Sequence, residues 1–261
     1  MNLLFIGDIM AKPGRRAVGK LLPALREEFA VHVVVANGEN IAGGAGLTRE
    51  TSRELFRAGV DVITGGNHLF DKPEGLAFIR EEPRIVRPAN YPPGTPGNVL
   101  AFVEAPGGRV AVGSVLGRIF MRPLDDPFRA AAALEEKARM GGARYFVLDV
   151  HAEASSEKMA MAWYLDGKAS VVAGTHTHVP TADERILPGG TAFVTDVGMT
   201  GPYDSVIGMA KEPVLEHMLT GMRQRFKPAT GDVRLFALLV GLDEGTGLAT
   251  SICRVTRLIE E

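Results

Sequence analysis

Short apolar runs rich in β-branched residues alternate with stretches of helical spacing along most of the chain. Residues 3–6 are apolar throughout and read as a buried strand. Residues 13–29 place Val18, Leu21, Leu22 and Leu25 at helical spacing, with Pro13 suited to the first turn. A strand over 31–36 follows. The Gly-rich loop Gly43-Gly44-Ala45-Gly46 then leads to a helix from about residue 48, where Thr48-Arg49-Glu50-Thr51 offers a cap. Residues 61–64 predict a third strand. Strand and helix alternate, so the pattern predicts an α/β layered fold.

The Pro/Gly-rich stretch 87–98 continues neither a helix nor a central strand. Strands over 99–104 and 109–116 flank the turn Pro106-Gly107-Gly108 as a hairpin, and 128–140 is an Ala-rich helix. A strand over 145–150, a helix over 156–165 and a strand over 169–173 come next. Residues 185–187 and 191–195 predict a second hairpin, 213–224 a helix, and 233–241 with 248–258 a long terminal hairpin. No internal repeat or linker interrupts this order, so a single domain over 1–261 is expected.

The polar residues that close these apolar runs are the informative ones: Asp8, Glu39-Asn40, Asn67-His68, His151, and the pair His176/His178. Two histidines at i, i+2 in extended backbone project to one side, so both imidazoles would reach one site. In α/β sheets, sites form outside the carboxyl ends of strands, where these loops can converge. Singly, each residue has an ordinary reading: Asp8 as a cap, Glu39-Asn40 as a polar turn, His151 as a hydrogen-bonded core residue. Jointly, four of six histidines stand at strand ends, and the set points to a metal site. Carboxylate, amide and imidazole suit iron, manganese or zinc in a multi-metal centre better than a closed structural zinc, which uses cysteine. His32 and His217 lie outside the pattern and read as structural.

Composition narrows the class only slightly. Hydrophobic residues make up 46% and charged residues 23%, as in ordinary globular proteins, and a net charge of −2 gives no general attraction to duplex nucleic acid. The single cysteine, Cys253, forms no internal disulfide and is compatible with a reducing cytosol. The N-terminus lacks a basic region, and no apolar run reaches membrane-spanning length, so a cytoplasmic protein with no membrane partner is expected. RNA is left open as a partner without support from any basic run, and assembly into a homo-oligomer is expected. Gly7-Asp8-Ile9-Met10-Ala11-Lys12 is not a dinucleotide fingerprint, Gly43-Gly44-Ala45-Gly46 lacks the Gly-Lys-Ser/Thr of a P-loop, and no G-x-S-x-G elbow is present.

The order Gly7-Asp8, Gly38-Glu39-Asn40, Gly66-Asn67-His68, His151, Gly174-Thr175-His176-Thr177-His178 resembles the calcineurin-like metallophosphoesterases. Those enzymes carry D-x-H, G-D, G-N-H-[D/E], H and G-H-x-H in this order. Gly7-Asp8-Ile9-Met10, Asn37-Gly38-Glu39-Asn40 and Asp196-Val197-Gly198-Met199-Thr200-Gly201-Pro202 are similar more narrowly to the YmdB-like branch. The resemblance implies a layered sandwich of two mixed β-sheets flanked by helices, and two metal ions, most simply iron or manganese. It implies Asp8, Asn40 and His178 on one ion, Asn67, His151 and His176 on the other, Glu39 bridging, and His68 as the catalytic residue that stabilises the transition state or protonates the leaving ribose oxygen.

The sequence departs from the broad pattern at three places. Met10 replaces the histidine of D-x-H, Glu39 replaces the bridging aspartate, and Leu69 replaces the acid after His68, leaving Asp71 as the nearest carboxylate. The implied reaction is hydrolysis of a small phosphodiester, above all a 2′,3′-cyclic nucleotide. The alternatives are a metal-stabilised regulatory or RNA-binding module with little turnover, and a phosphomonoesterase or nuclease of the same fold. Tyr91 and Tyr203 are candidates to stack on a base, and Gly44 to line the phosphate pocket, each against an ordinary loop role.

Overall fold

A computed structural model describes residues 1–259; Glu260 and Glu261, the last two positions of the expected 1–261 domain, lie outside the described residues. Every strand of the first sheet near the N-terminus is apolar on both faces because both faces are covered. β1 (Asn2–Ile6), β2 (Val33–Asn37), β3 (Val62–Thr64) and β4 (Ile85–Val86) run parallel. β12 (Val233–Leu242) adds antiparallel to β1, with β13 (Ala249–Leu258) and the short β11 (Gly201–Pro202) both paired to β12. The second sheet has the order β5 (Leu100–Ala105), β6 (Gly108–Leu116), β7 (Ala143–His151), β8 (Val171–Thr175), β10 (Ala192–Val194), β9 (Arg185–Ile186). Its inner four strands are parallel and both edges antiparallel, so both sheets are mixed, as the resemblance implied.

The period of two in each strand sorts side chains between layers. Leu3 and Phe5 of β1 pack with Val33, Val35, Val112 and Val147 between the two sheets. Leu4 and Ile6 face the other way, against Val18, Leu22 and Leu25 of α1 (Ala11–Glu28) and Leu55 of α2 (Arg49–Ala58). On the far side, Phe146, Leu148 and Val172 pack against Leu134 of α4 (Pro127–Met140) and Met161 of α5 (Ser155–Tyr164). The result is four layers, helix–sheet–sheet–helix. The carboxyl ends of β1, β2, β3, β7 and β8 gather along one edge, which is where the polar strand-end residues stand.

Several expected boundaries shift for local reasons. α1 begins at Ala11, two residues before Pro13, and still keeps that proline in its first turn, where no intrahelical N–H is needed. Thr48 caps α2 as expected: its hydroxyl accepts from the Thr51 N–H, and the Thr51 hydroxyl answers to the Thr48 N–H. α6 (Lys211–Thr220) stops before the expected residue 224, because Gly221 adopts the left-handed conformation that ends a helix. α3 (Leu76–Glu81) and β4 lie outside the sequence expectations, being too short for a periodic signal to accumulate.

Candidate metal centre

The oxygen and nitrogen donors singled out in the sequence meet at this edge. Asp8 is fully buried, and its Oδ2 accepts from the His176 backbone N–H at 3.1 Å. Its Oδ1 lies 3.8 Å from His178 Nε2 and 3.9 Å from His151 Nδ1. Asn40 Nδ2 stands 3.2 Å from His178 Nε2 and 3.4 Å from Glu39 Oε1. On the other side of Glu39, His151 Nε2 is 3.1 Å from Glu39 Oε1, 2.9 Å from Asn67 Oδ1 and 3.1 Å from His176 Nδ1. Two donor groups therefore adjoin, Asp8/Asn40/His178 and Asn67/His151/His176, with Glu39 touching both. Gly66 makes room for them: a Cβ there would lie 2.4 Å from both Glu39 Oε2 and His151 Nε2.

Two atoms test whether cations fit. Asp8 Oδ1 and Asn40 Oδ1 are buried with no hydrogen-bond partner among the described residues. An orphaned buried oxygen costs free energy unless something neutralises it, and both orphans sit in the donor group that a cation would satisfy. Glu39, His151 and His176 present ligand atoms all within 4.8 Å of one another. The donor set fits divalent ions.

The electrostatics point the same way. Burial pushes the Asp8 carboxyl up to about 6, although His178 and His151 pull the other way. Burial also acts to raise Glu39, but the charge and hydrogen bond of His151 outweigh it and hold Glu39 at about 2. His151 is the counterpart: burial alone would lower it, yet Glu39, Asp8 and Asp149 keep it protonated up to about 9. Burial, with the neighbouring His151 charge, depresses His176 to about 3, so its imidazole is neutral at pH 7. A proton on His151 thus bridges carboxylate, amide and imidazole.

Two expectations are corrected. His176 and His178 do not continue the extended strand: β8 ends at Thr175, and the two residues take φ of +101° and +66°. Non-glycine residues rarely adopt such backbone, and they hold it where surrounding structure over-determines it. Here Asp196 does so, its Oδ2 accepting from the Thr177 N–H at 3.1 Å and hydroxyl at 2.8 Å while pairing with buried Lys158 Nζ at 2.8 Å. The second correction concerns His68. The loss of an acid at Leu69 does not leave it unsupported, because the turn after Asn67 brings Asp71 Oδ2 to 2.7 Å from His68 Nδ1. Leu69 instead is buried in the core.

A supporting layer went unread in the sequence. His151 Nδ1 is 2.8 Å from Thr175 Oγ1, which donates to Asp149 Oδ1 at 2.7 Å; Asn37 Nδ2 and Thr64 Oγ1 donate to Asp149 Oδ2. This chain places a proton on Nδ1 and turns the Nε2 lone pair of neutral His151 to the centre. Burial raises Asp149 against those hydrogen bonds. The available signal was the spacing: Asp149 sits at i, i+2 to His151 on one face of an otherwise apolar strand.

Met10 is buried against Ala11 and Met199, and its side chain with Gly44, Glu153 and Met209 lines a cleft of about 310 Å³ that includes Glu39, Asn40, His68 and both histidines of the pair. Tyr91 lines an adjoining hollow with Asn67, His68, Asp71, Phe120 and Arg122, and packs edge-on to Phe70. Phe120, 89% exposed with φ of +61°, and Arg122 are site-edge residues that the sequence reading missed; the run Arg118-Ile119-Phe120-Met121-Arg122, apolar within a loop, was the signal. Tyr203 does not line the cleft: it packs behind Met10 and Met199, its hydroxyl donating to the Met199 carbonyl at 2.9 Å and its ring lying 5.0 Å from Phe236. His32 Nδ1 accepts from the Asn2 N–H, and His217 Nδ1 contacts the Met222 carbonyl, both away from the centre.

Phosphoester hydrolases of the metallophosphoesterase class, 5′-nucleotidases among them, share this construction, and the molecule is one of them. A family model described as YmdB-like protein matches residues 4–255, and the chain belongs to that family. The 2′,3′-cyclic-nucleotide 2′-phosphodiesterase of Bacillus subtilis strain 168 is 47% identical over 255 residues, 98% of this chain and 96% of the relative. A crystal structure of a hypothetical protein from Thermus thermophilus superposes with a TM-score of 0.93 at 49% identity, covering 99% of both chains. A phosphatase structure from Mycoplasma pneumoniae gives a TM-score of 0.93 at 30% identity, covering 99% of this chain and 93% of that one. Among the described residues, no helix is long and apolar enough to cross a membrane.

Proposed function

We propose that the chain hydrolyses 2′,3′-cyclic nucleotides to nucleoside monophosphates. Two ions, iron or manganese, would be held by Asp8, Asn40 and His178 and by Asn67, His151 and His176, with Glu39 shared. The observation that carries this reading is the pair of adjoining donor groups on either side of Glu39, with the His68 ring beside them but paired through Nδ1 with Asp71. The 47% identity to a 2′,3′-cyclic-nucleotide 2′-phosphodiesterase supports the substrate. Pairing of β1 with β12 joins the two ends of the chain in one sheet and supports a single domain. An exposed free Cys253 agrees with a reducing cytoplasm.

Bound ions supply Lewis acidity at the phosphoryl oxygens and a nucleophilic water at neutral pH. The chain does the rest. Asp71 holds the His68 ring through Nδ1, which leaves Nε2 without a hydrogen-bond partner among the described residues. With Nδ1–H held by Asp71, the imidazolium form of His68 passes its Nε2 proton to the ribose oxygen as that oxygen's bond to phosphorus breaks. The water oxygen bonds in its place after losing its own proton to solvent. The Glu39 carboxylate also accepts from the His68 backbone N–H at 2.9 Å, which fixes the residue against the centre. Strain in the five-membered cyclic phosphate, whose opening needs less help at the leaving oxygen than a linear diester does, is the physical reason for the preference.

The test is a panel of 2′,3′-cyclic, 3′,5′-cyclic and linear diesters at matched metal loading. Expected is the highest kcat/KM for the 2′,3′-cyclic substrates, by at least about tenfold, or 1.36 kcal/mol of barrier. A preference for 3′,5′-cyclic nucleotides or for phosphomonoesters would overturn the substrate assignment while leaving the metal centre in place.

Metal loading should itself depend on pH. A ligand His151 must be neutral, yet in the metal-free protein it keeps its proton up to about 9. Binding at pH 7 therefore expels that proton, and affinity should rise about tenfold per unit between pH 6 and 9. Calorimetric titration with manganese in buffers of different ionisation enthalpy measures the proton released. An affinity indifferent to pH would remove His151 from the ligand set.

A further inference from the structure

Next to the cleft lies a second cavity of about 950 Å³, against about 310 Å³ for the cleft itself. Chain neighbours are divided between the two. Met10 and Gly44 face the cleft while their neighbours Ala11 and Gly43 line the large cavity, and cleft residue Met209 bridges to Pro228 on the other side. The wall is tightly packed at Gly44, where a Cβ would meet Met10 Cε and Met209 Cε at 2.9 Å. It is low at Gly43, which is exposed and has nothing within 4 Å of its Cβ position.

The charge of this cavity is lopsided. Lys12, Arg16 and Lys72 line it, and none of their side chains has a hydrogen bond or ion pair with any described residue. Arg15 adds a fourth cation but is engaged by Glu54 and the Ile41 carbonyl. Of the two lining carboxylates, Glu74 and Asp232, the second is held by Arg234. The remaining wall is largely apolar, and Lys72 directly follows Asp71, the partner of His68. Unneutralised cations along a groove are what tracks the phosphates of a single-stranded nucleic acid.

The chemistry of the substrate says what such a neighbour is for. A 2′,3′-cyclic phosphate forms when a ribose 2′-hydroxyl attacks the adjacent phosphodiester and the 5′-oxygen of the next nucleotide leaves with a proton. It is therefore made at the 3′ end of a ribonucleotide chain, and the cyclic mononucleotide is the shortest case. We propose, resting on the cyclic-nucleotide reading above, that the substrate is the 3′ terminus of a short oligoribonucleotide. Its terminal cyclic phosphate occupies the cleft, and its preceding nucleotides cross the rim at Gly43 to place their phosphates on Lys12, Arg16 and Lys72. The class of reaction that supplies it is RNA cleavage by internal transesterification.

The experiment compares a 2′,3′-cyclic mononucleotide with a trinucleotide ending in the same cyclic phosphate, on metal-reconstituted protein. Expected is a kcat/KM for the trinucleotide at least about tenfold higher, within what one or two charged hydrogen bonds to phosphate supply. Lys12→Glu with Arg16→Glu should bring the ratio near one; acidic residues suit the first turns of α1, so the fold is retained. Lys72→Glu, on a separate segment, should lower the same ratio. A second readout is fluorescence anisotropy of a labelled trinucleotide 3′-phosphate on metal-free protein across a salt series. The slope of log K against log salt should flatten by about 0.7 for each cation lost. Equal kcat/KM for both substrates, or a preference that survives both variants, overturns the proposal. If neither cyclic substrate turns over while bis(p-nitrophenyl) phosphate does, the cyclic-nucleotide reading fails, and the salt slopes alone then decide the cavity: unchanged slopes in the variants overturn it, flattened slopes uphold it as an oligonucleotide site.

Discussion

His68→Ala is expected to lose at least about a hundredfold in kcat while keeping its full metal content, since a positioned general acid contributes about 10²–10⁴-fold. The side chain lies at the edge of the donor groups, with its Nδ1 given to Asp71 and not to the centre. Removing it takes away a proton donor and leaves Asp8, Glu39, Asn40, Asn67, His151, His176 and His178 intact. Asp71→Asn should cost less, on the order of tenfold, because the ring remains and only its orientation and tautomer loosen. Elemental analysis beside steady-state kinetics checks both. If metal content and rate fall together in His68→Ala, the residue is a ligand and its assignment as proton donor is wrong.

Lys158→Met should destabilise the protein by about 3–5 kcal/mol, the usual cost of stripping the partner from a buried charge. Lys158 is fully buried within α5, and its Nζ meets Asp196 Oδ2 at 2.8 Å with side-chain exposures of 0% and 1%. The same Asp196 holds Thr177, between the two histidines of the pair, and its Oδ1 accepts from the Gly198 N–H at 2.9 Å. The effect should therefore exceed a stability loss. Freed from Lys158, Asp196 is an unpaired buried carboxylate, and the left-handed backbone at His176 and His178 loses its anchor. Denaturant unfolding measures the first consequence and metal affinity of the folded variant the second. Lys158→Met combined with Asp196→Leu should recover part of the stability, because it removes the stranded charge, but not the metal affinity. A single variant within about 0.5 kcal/mol of the parent protein, the range of ordinary surface changes, would show that the pair is not a structural anchor.

Much of the layered fold was legible because the inner strands of both sheets are buried on both faces. These strands announce themselves as unbroken apolar runs, and the residues that close those runs are polar for a reason. Asp8, Glu39, Asn40, Asn67, His151, His176 and His178 could all be picked out as strand-end residues, and the structure brings them together at one edge. What periodicity carries is local: which residues form a strand, which side of it they face, and where it stops. That information sufficed for the inventory of donors.

Tertiary structure decided the pairings. Asp71, the nearest carboxylate in the sequence, turns back to His68 across a tight turn, a pairing that proximity along the chain does not establish. Asp149 and Thr175 come from neighbouring strands 26 positions apart to set the His151 tautomer, and Lys158 meets Asp196 across 38. Tyr203 stands behind Met10 with its hydroxyl on the Met199 carbonyl, and Phe120 and Arg122 came to the site's edge. The backbone of the histidine pair left the strand because Asp196 and Asp8 claim its N–H groups, and nothing within Gly-Thr-His-Thr-His reports those partners. The sequence by itself determined which chemical groups are present and on which strand ends they stand. Which of them meet depends on the packing of two sheets whose contacting residues are far apart in the chain, and the energy that selects those contacts exists only once the chain is folded.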